Sequence, residues 1–356
     1  VSGLNPTNQL GNPNLKWESA AQTNVGFDVS FLNNNLTLTV DYYRKKVENL
    51  IFTQQLPLTT GGAITALNLP GFNINKGIEI SLDANIVKKR DFEWSSNFNI
   101  SFNKNVVEGI DDNISFQTGA VQVAGSRVNL YTQIIKNGYA LGTFWGYKTS
   151  GVDPKTGNLV YSNDLEKIGN ALPKYTFGFS NNFKYKSLML SVLIDGTQGN
   201  DIYNGLRMET EAMSGFTNQS TAVLRRWQQP GDVTDIPRAL GNRTTNAAEA
   251  AKLQNRISSH YLEDGSFIRF RNVTLGYDFA SEAVKKLGLS GARIYVTAQN
   301  LFTFTKYTGY YPEVNAYGQG TNNQAGNAGG GVNLLSLGID RGTYPAAKTF
   351  TVGFNV

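Results

Sequence analysis

The sequence predicts an all-β fold, an antiparallel transmembrane β-barrel of which about eleven strands are present. Three observations carry this reading. Apolar and polar residues alternate with a period of two along most of the chain, which places them on opposite faces of a strand. Many alternating segments reach ten residues or more, against about five or six in a typical soluble strand, and about 9–11 residues carry a tilted strand across a bilayer. Short and long connections also follow one another in turn, as they do in outer-membrane barrels.

The segments are 22–31, 36–52 with a bulge, 73–86, 92–104, 126–136, 142–150, 174–184, 187–195, 266–279, 292–306 and 346–356. In the first, Val25, Phe27, Val29 and Phe31 interleave with Asn24, Gly26, Asp28 and Ser30. In the third, Ile74, Ile78, Ile80, Leu82, Ala84 and Ile86 alternate with Asn, Gly, Glu, Ser and Asp, and Lys76 alone interrupts the apolar face. Segment 92–104 sets Phe92, Trp94, Phe98, Ile100 and Phe102 against Asp, Glu, Ser and Asn, and 174–184 continues the pattern with Tyr175, Phe177, Phe179 and Phe183. The chain end repeats it with Phe350, Val352, Phe354 and Val356.

Short connections at 32–35, 87–91, 137–141 and 185–186 alternate with long ones at 53–72, 105–125, 151–173, 196–265 and 307–345. This pattern predicts periplasmic turns at one end, extracellular loops at the other, and a periplasmic C-terminus. The connection 280–291 carries Ser281 at an N-cap position and Gly288 after the last apolar residue, which predicts one or two helical turns. Loop 196–265 is too long to be featureless, and its stretch from Met208 to Trp227 is a candidate for helix.

Composition narrows the chemistry. With no Cys and a single His in 356 residues, thiolate nucleophiles, disulfides, Cys-ligated zinc and His-rich metal centres are excluded. No enzymatic activity and no cofactor are expected. The excess of 32 Lys+Arg over 27 Asp+Glu is scattered in short groups such as 88–90 and 285–286, so no nucleic-acid patch is predicted. The polar faces are Asn, Ser, Thr and Gly more than Lys and Glu, which suits a barrel lumen better than a solvent-facing sandwich surface. An odd strand count would leave two unpaired edges in hydrocarbon, so these strands are expected to be part of a larger barrel, with 22–31 and 346–356 not adjacent.

The local words resemble those of SusC/RagA-type TonB-dependent outer-membrane transporters along the whole chain. They stand here as Asn12-Pro-Asn-Leu-Lys-Trp-Glu18, Leu36-Thr-Leu-Thr-Val-Asp-Tyr-Tyr43, Asn75-Lys-Gly-Ile-Glu79, Gly142-Thr-Phe-Trp-Gly-Tyr-Lys148, Arg226-Trp-Gln-Gln-Pro-Gly231, Asp264-Gly-Ser-Phe-Ile-Arg-Phe-Arg-Asn-Val-Thr-Leu-Gly-Tyr277, Ala298-Gln-Asn-Leu-Phe302, Tyr307-Thr-Gly-Tyr310 and Asp340-Arg-Gly-Thr-Tyr-Pro345. The resemblance implies the C-terminal half of a 22-stranded plugged barrel, so that residues 1–356 are part of one barrel domain whose plug and TonB-contacting segment are not in this chain. It further implies import of oligosaccharides or peptides in partnership with TonB and a SusD-like surface lipoprotein, within membrane lipid. Two places depart from the family pattern. The turn Gly151-Val-Asp-Pro-Lys-Thr-Gly-Asn158 has one carboxylate where many relatives have an acidic cage, so no calcium is expected there. The chain ends Phe354-Asn355-Val356, where relatives usually end in an aromatic residue.

Candidate substrate or lid contacts are Trp227 in the longest loop and Tyr310, Tyr311 and Tyr317 before the last strand. Aromatic faces there stack on sugars or partners, or serve in the girdle that every such barrel has. Trp17, Trp94 and Trp145 read as interfacial anchors, and His260, with no partner in the sequence, reads as a surface histidine. Arg269, Arg271, Val273, Leu275 and Tyr277 share a face. If that face meets lipid, both Arg lie near its boundary, where the cost falls to about 0–1 kcal/mol. A soluble all-β carbohydrate-binding or adhesion protein, or a passive porin, is the alternative reading.

Overall fold

A computed structural model describes residues 9–55, 64–122, 129–213, 218–239, 256–279, 284, 288–314 and 336–356. Nine strands form one continuous antiparallel sheet: β1 (Ser19–Phe31), β2 (Leu36–Glu48), β3 (Phe72–Lys88), β4 (Phe92–Glu108), β5 (Tyr175–Tyr185), β6 (Leu188–Gln198), β7 (Phe267–Asp278), β8 (Arg293–Thr305) and β9 (Thr349–Asn355). Each pairs with its neighbours in chain order, so the wall is a meander. Its outermost strands, β1 and β9, do not pair with each other. The sheet is an arc of a barrel, as the unpaired-edge argument requires.

Register joins the alternations of separate strands into two continuous faces. Phe27, Val40, Ile80, Ile100, Phe177, Gly196, Ile268 and Phe304 lie opposite one another in a single row across eight strands. Many residues of this face are exposed, Val25 at 66% and Phe350 at 67%. A water-soluble sandwich would bury them, whereas a barrel gives them to lipid. From Phe92 to Phe102 on β4, at about 3.4 Å per residue and a tilt of about 40°, the apolar band spans roughly 26 Å, close to the ~25 Å of outer-membrane barrels.

The opposite face is held by side-chain hydrogen bonds between strands. Thr39 donates to Asp28 (2.5 Å), Asn97 to Asp83 (2.6 Å), Asn105 to Asn73 (2.7 Å) and Ser191 to Asn182 (2.7 Å). Such cross-strand pairs add about 0.2–1 kcal/mol each, and their regular spacing explains why the lumen side is rich in Asn and Ser. Tight turns close one end: Leu32, Asn33 and Asn34 all take positive φ between β1 and β2, and Lys186 does so between β5 and β6. Of the connection between β7 and β8, where helix is predicted, residues 280–283 and 285–287 lie outside the described residues.

The hydrophobic core is not in the lipid-facing band of the wall, and only strand ends such as Val107 of β4 join it. It lies among the long connections at the other end, where Val121, Phe144, Ala171, Tyr203, Met208, Ile257, Tyr261 and Ile339 pack together. A second cluster joins Phe52, Leu69, Val107, Ile110, Ile135 and Leu141. Short sheets frame these clusters, including one of four strands in the order 166–170, 143–146, 129–136 and 115–122.

Segments 126–136 and 142–150 therefore do not join the wall, and the sheet has nine strands among the described residues where eleven are expected. The reason is visible at Thr132, Gln133, Ile134 and Ile135, which are buried in succession. Both faces of this strand are covered by protein, and the adjacent Ile134-Ile135 breaks the alternation. Segment 36–52 also divides, because Asn49 takes φ +55 after β2 and the chain leaves the wall into a strand at Ile51–Gln55. Helix in the stretch from Met208 to Trp227 is limited to a short helix at Gly205–Thr210, which begins before Met208, and a helical turn at Thr221–Arg225, among the described residues.

Candidate functional site

Where β6 and β7 reach the long-connection end, a charged cluster stands on the polar face. Asp195 lies directly opposite Arg269, whose guanidinium grips it through Nη2 at 2.7 Å and Nε at 3.1 Å. Arg269 also donates to Glu313 (2.8 Å) and to the Tyr311 hydroxyl, which in turn donates to Glu313 (3.0 Å). Arg269 is 1% exposed, so each donor must find an acceptor. Arg271 reaches the same Asp195 at 2.9 Å but remains 46% exposed.

This placement corrects the assignment of Arg269 to the face of Val273 and Leu275. The register shifts between Phe270 and Asn272, leaving Arg271 as an extra residue against β6. Beyond this bulge the parity reverses, so Arg269 shares the polar face with Asn272 and Thr274, while Phe270 shares the apolar face with Val273 and Leu275. The second Arg thus supplies the bulge, and neither needs to sit in lipid.

A second polar knot lies deeper among the loops. Asn204 caps the short helix by accepting from the Arg207 N–H (2.8 Å). Arg207 pairs with Glu211 (2.8 Å), reaches the His260 carbonyl (3.1 Å), and lies 3.4 Å from Glu263. Glu263 accepts from Asn204 and from both the N–H and the hydroxyl of Thr308. His260 is not a surface histidine: its side chain is only 9% exposed, its Nε2 stands 3.6 Å from Glu211, and its ring packs edge-on against Tyr261 at 4.7 Å. Burial pushes the Glu211 carboxyl up, but the imidazole of His260 nearby and the hydrogen-bonded Arg207 guanidinium outweigh it and hold the group below the usual Glu range. Tyr307 donates to the buried Asp340 at 2.5 Å, and Asp340 also accepts from the N–H of Gly342 and Thr343.

Several of the family words are thus joints of the loop scaffold. Tyr307-Thr-Gly-Tyr310 meets Asp340-Arg-Gly-Thr through Tyr307, and meets the approach to β7 through Thr308. Trp227 belongs to another joint. Its indole N–H donates to the Pro154 carbonyl (2.9 Å), and its ring covers Gly157, where a Cβ would lie 2.4 Å from ring carbon Cδ2. The turn beneath it, 151–158, spends its one carboxylate locally: Asp153 accepts from the Lys155 N–H (2.9 Å) and the Thr156 hydroxyl (2.7 Å). Those bonds hold the Asp153 carboxyl below the usual Asp range.

Of the residues singled out in the sequence, Tyr311 is in the charged cluster, Tyr310 stands next to it at 69% exposure, and Trp227 is half-buried on its separate turn. Tyr317 lies outside the described residues. Sequence reasoning missed Asp195 and Glu313; two Arg on one strand call for acidic partners, but only pairing across the sheet says which. The cluster has balanced charge, and its exposed parts are one Arg271 guanidinium, the Glu313 carboxylate and the Tyr310 ring. It can hold a ligand through hydrogen bonds and ring contact.

Comparison with known proteins agrees with this architecture. A family model described as TonB dependent receptor-like, beta-barrel, matches residues 2–301. TonB-dependent receptor P3 of Formosa agariphila is 32% identical, over 98% of this chain and 35% of that protein. TonB-dependent receptor SusC of Bacteroides thetaiotaomicron is 26% identical, over 97% of this chain and 32% of its own length. The chain spans about a third of the length of the curated relatives it matches. Among solved structures, that of the RagAB peptide transporter superposes with a TM-score of 0.74 at 23% identity, covering 97% of this chain and 36% of that one. A RagAB importer in its "open-open" state gives 0.70 at 22% identity over 96% and 35%, and both likenesses speak to the fold. On the match across residues 2–301 and the wall built by those residues, the chain belongs to the TonB-dependent receptor β-barrel family of the outer membrane.

Proposed function

We propose that the chain is the C-terminal part of the barrel of an outer-membrane importer for a nutrient of the oligosaccharide or peptide class. The observation that carries this is the nine-stranded wall, with one face apolar over a bilayer's thickness, the other polar and hydrogen-bonded, and the four longest connections at one end. In this reading the long-connection end is extracellular and the C-terminus periplasmic. The charged cluster of Asp195, Arg269, Arg271 and Glu313 then lines the extracellular mouth of the lumen, with Tyr310 beside it for a sugar ring or an apolar side chain. Trp227 and Tyr317 would serve substrate or lid contact from the loops. A SusD-like lipoprotein is the lid that fits this end, TonB supplies energy through the plug-bearing part of the protein, and that part completes the barrel. The likeness in fold to RagAB, described as a peptide transporter, supports the peptide part of this range, and the oligosaccharide part rests on the resemblance of the sequence words to the SusC/RagA type.

The test is uptake by whole cells. Deleting the gene should abolish growth on one class, purified oligosaccharide or peptide, while growth on a monosaccharide or free amino acids continues. An Arg271→Ala substitution should slow that uptake without lowering the amount of receptor in the membrane. Undiminished growth of the deletion strain on both classes would overturn the import reading. An epitope added after Val356 should be hidden from antibody in intact cells, and labelling there would reverse the orientation.

A further inference from the structure

The single break in the alternation of β3, Lys76, lies on the apolar face, and pairing across the sheet shows that it is not alone. Lys76 stands directly opposite Arg44 on β2 and directly opposite Lys104 on β4. The three side chains are all exposed and form a row of like charges across adjacent strands, a few ångströms apart. Like charges directly opposite one another destabilise a sheet, so such a row needs an external counter-charge. Among the described residues, none of the three takes part in an ion pair. Lys46, one row further out, is already used, bonded to Glu48 at 2.9 Å and lying over the Phe72 ring at 3.4 Å. The nearest carboxylates along these strands on this face, Glu48 and Glu108, lie two rows beyond the cations.

The height of the row identifies the counter-charge. One row inward, the apolar band ends in Val25, Tyr42, Ile78, Phe102 and Tyr175, so the cations begin where hydrocarbon stops, at the long-connection end. Tyr at this level suits the headgroup boundary, and each Lys or Arg there attracts anionic headgroups. We propose that Arg44, Lys76 and Lys104 form a binding site on the outside of the barrel for the phosphates of a lipid headgroup in the adjoining leaflet. The site fastens a phosphorylated lipid to this stretch of wall, and the lipid in turn relieves the repulsion along the row. This rests on the reading of the wall as membrane-spanning with its long connections outward, under which the lipid is the phosphorylated glycolipid of the outer leaflet.

The test uses the whole receptor purified from outer membranes in detergent, with native mass spectrometry reading lipid retained on the barrel. The probes are bis-phosphorylated lipid A, the same lipid with its phosphates removed, and inorganic phosphate as competitor. The wild type should hold bis-phosphorylated lipid A at least about tenfold more tightly than an R44Q/K76Q/K104Q variant, and both should hold the dephosphorylated lipid equally. Lysines at the opposite end serve as the control, so a K88Q/K89Q variant should bind like wild type. If the triple variant does not fold, the single K76Q should still bind measurably more weakly than wild type. Equal retention by wild type and row variants, indifference of wild type to the phosphates, or displacement of the lipid by an equal concentration of inorganic phosphate would overturn the proposal. Failure here leaves nutrient uptake untouched, whereas loss of the uptake phenotype with the lipid preference intact would refute import and keep the site. Recovery of the receptor without detergent would refute the membrane-spanning wall itself.

Discussion

Replacing Arg269 and Arg271 separately by Met gives a direct test of the bulge on β7. Arg269 is 1% exposed and makes two bonds to Asp195, one to Glu313 and one to Tyr311. Removing one partner of a buried pair costs about 3–5 kcal/mol. Here Asp195 keeps Arg271 at 2.9 Å, and Glu313 is 42% exposed and can recover water, which places the expected loss at the lower end, about 3 kcal/mol. Arg271 is half exposed and shares an acceptor that Arg269 already holds, so its loss should cost under about 1 kcal/mol. Unfolding of the purified receptor in urea, followed by the heat-dependent shift in gel mobility typical of barrels, gives both values on one protein. A third variant, D195L/R269M, should recover part of the loss, because the less exposed carboxylate is removed with its partner and the exposed Glu313 keeps Arg271 within 3.8 Å. Equal effects of the two single substitutions would mean that both Arg share one face and that the chain has no bulge at 271.

Other perturbations follow from the loop joints. Gly157 has φ +71 beneath the Trp227 ring, so Gly157→Val should displace the indole and break its bond to Pro154, and limited proteolysis should cut 151–158 and 218–239 faster; unchanged cleavage would refute the joint. Tyr307→Phe removes a bond to a buried carboxylate, about 1.5–3 kcal/mol for a charged acceptor, and hydrogen exchange should rise around 339–343, with unaltered exchange counting against the link. Glu211 titrates below its ordinary value of 4.5 in the folded protein, so its stabilising contribution is complete above that pH and is lost as pH falls through the lowered folded value. Amide exchange in 205–211 should therefore accelerate on acidification below about pH 4.5, and Glu211→Gln should flatten that dependence; equal pH responses of wild type and variant would show that other groups control it. Tyr310→Ala, at an exposed ring with no partner to lose in the wall, should leave unfolding unchanged while reducing uptake, and full uptake would remove Tyr310 from the ligand path.

The wall was legible in the sequence because its cause is local. Each strand must show one face to lipid and one to a wet lumen, and a period of two records that demand residue by residue, as in Phe27 and Val29 or Phe98 and Ile100. The short turns were legible for the same reason, since Leu32–Asn34 and Lys186 punctuate runs that otherwise alternate without interruption. The words carried by Tyr307, Asp340 and Trp227 could be read as belonging to a family, but not as what they are physically, which is joints between loops far apart in the chain.

What the sequence alone determined is the all-β, two-faced character of the chain, the length of its wall strands, and the absence of thiol chemistry and of a His-rich metal centre. Only the tertiary structure decided the rest. It removed 129–136 from the wall by burying both of its faces, reversed the parity of β7 at Arg271, placed His260 against Glu211 in the interior, and aligned Lys76 with Arg44 and Lys104. The physical reason is common to all four. Burial and charge depend on what lies across the sheet or beneath the loop, and those partners, such as Asp195 for Arg269 at a separation of 74 residues, are chosen by register and packing, which no local pattern encodes.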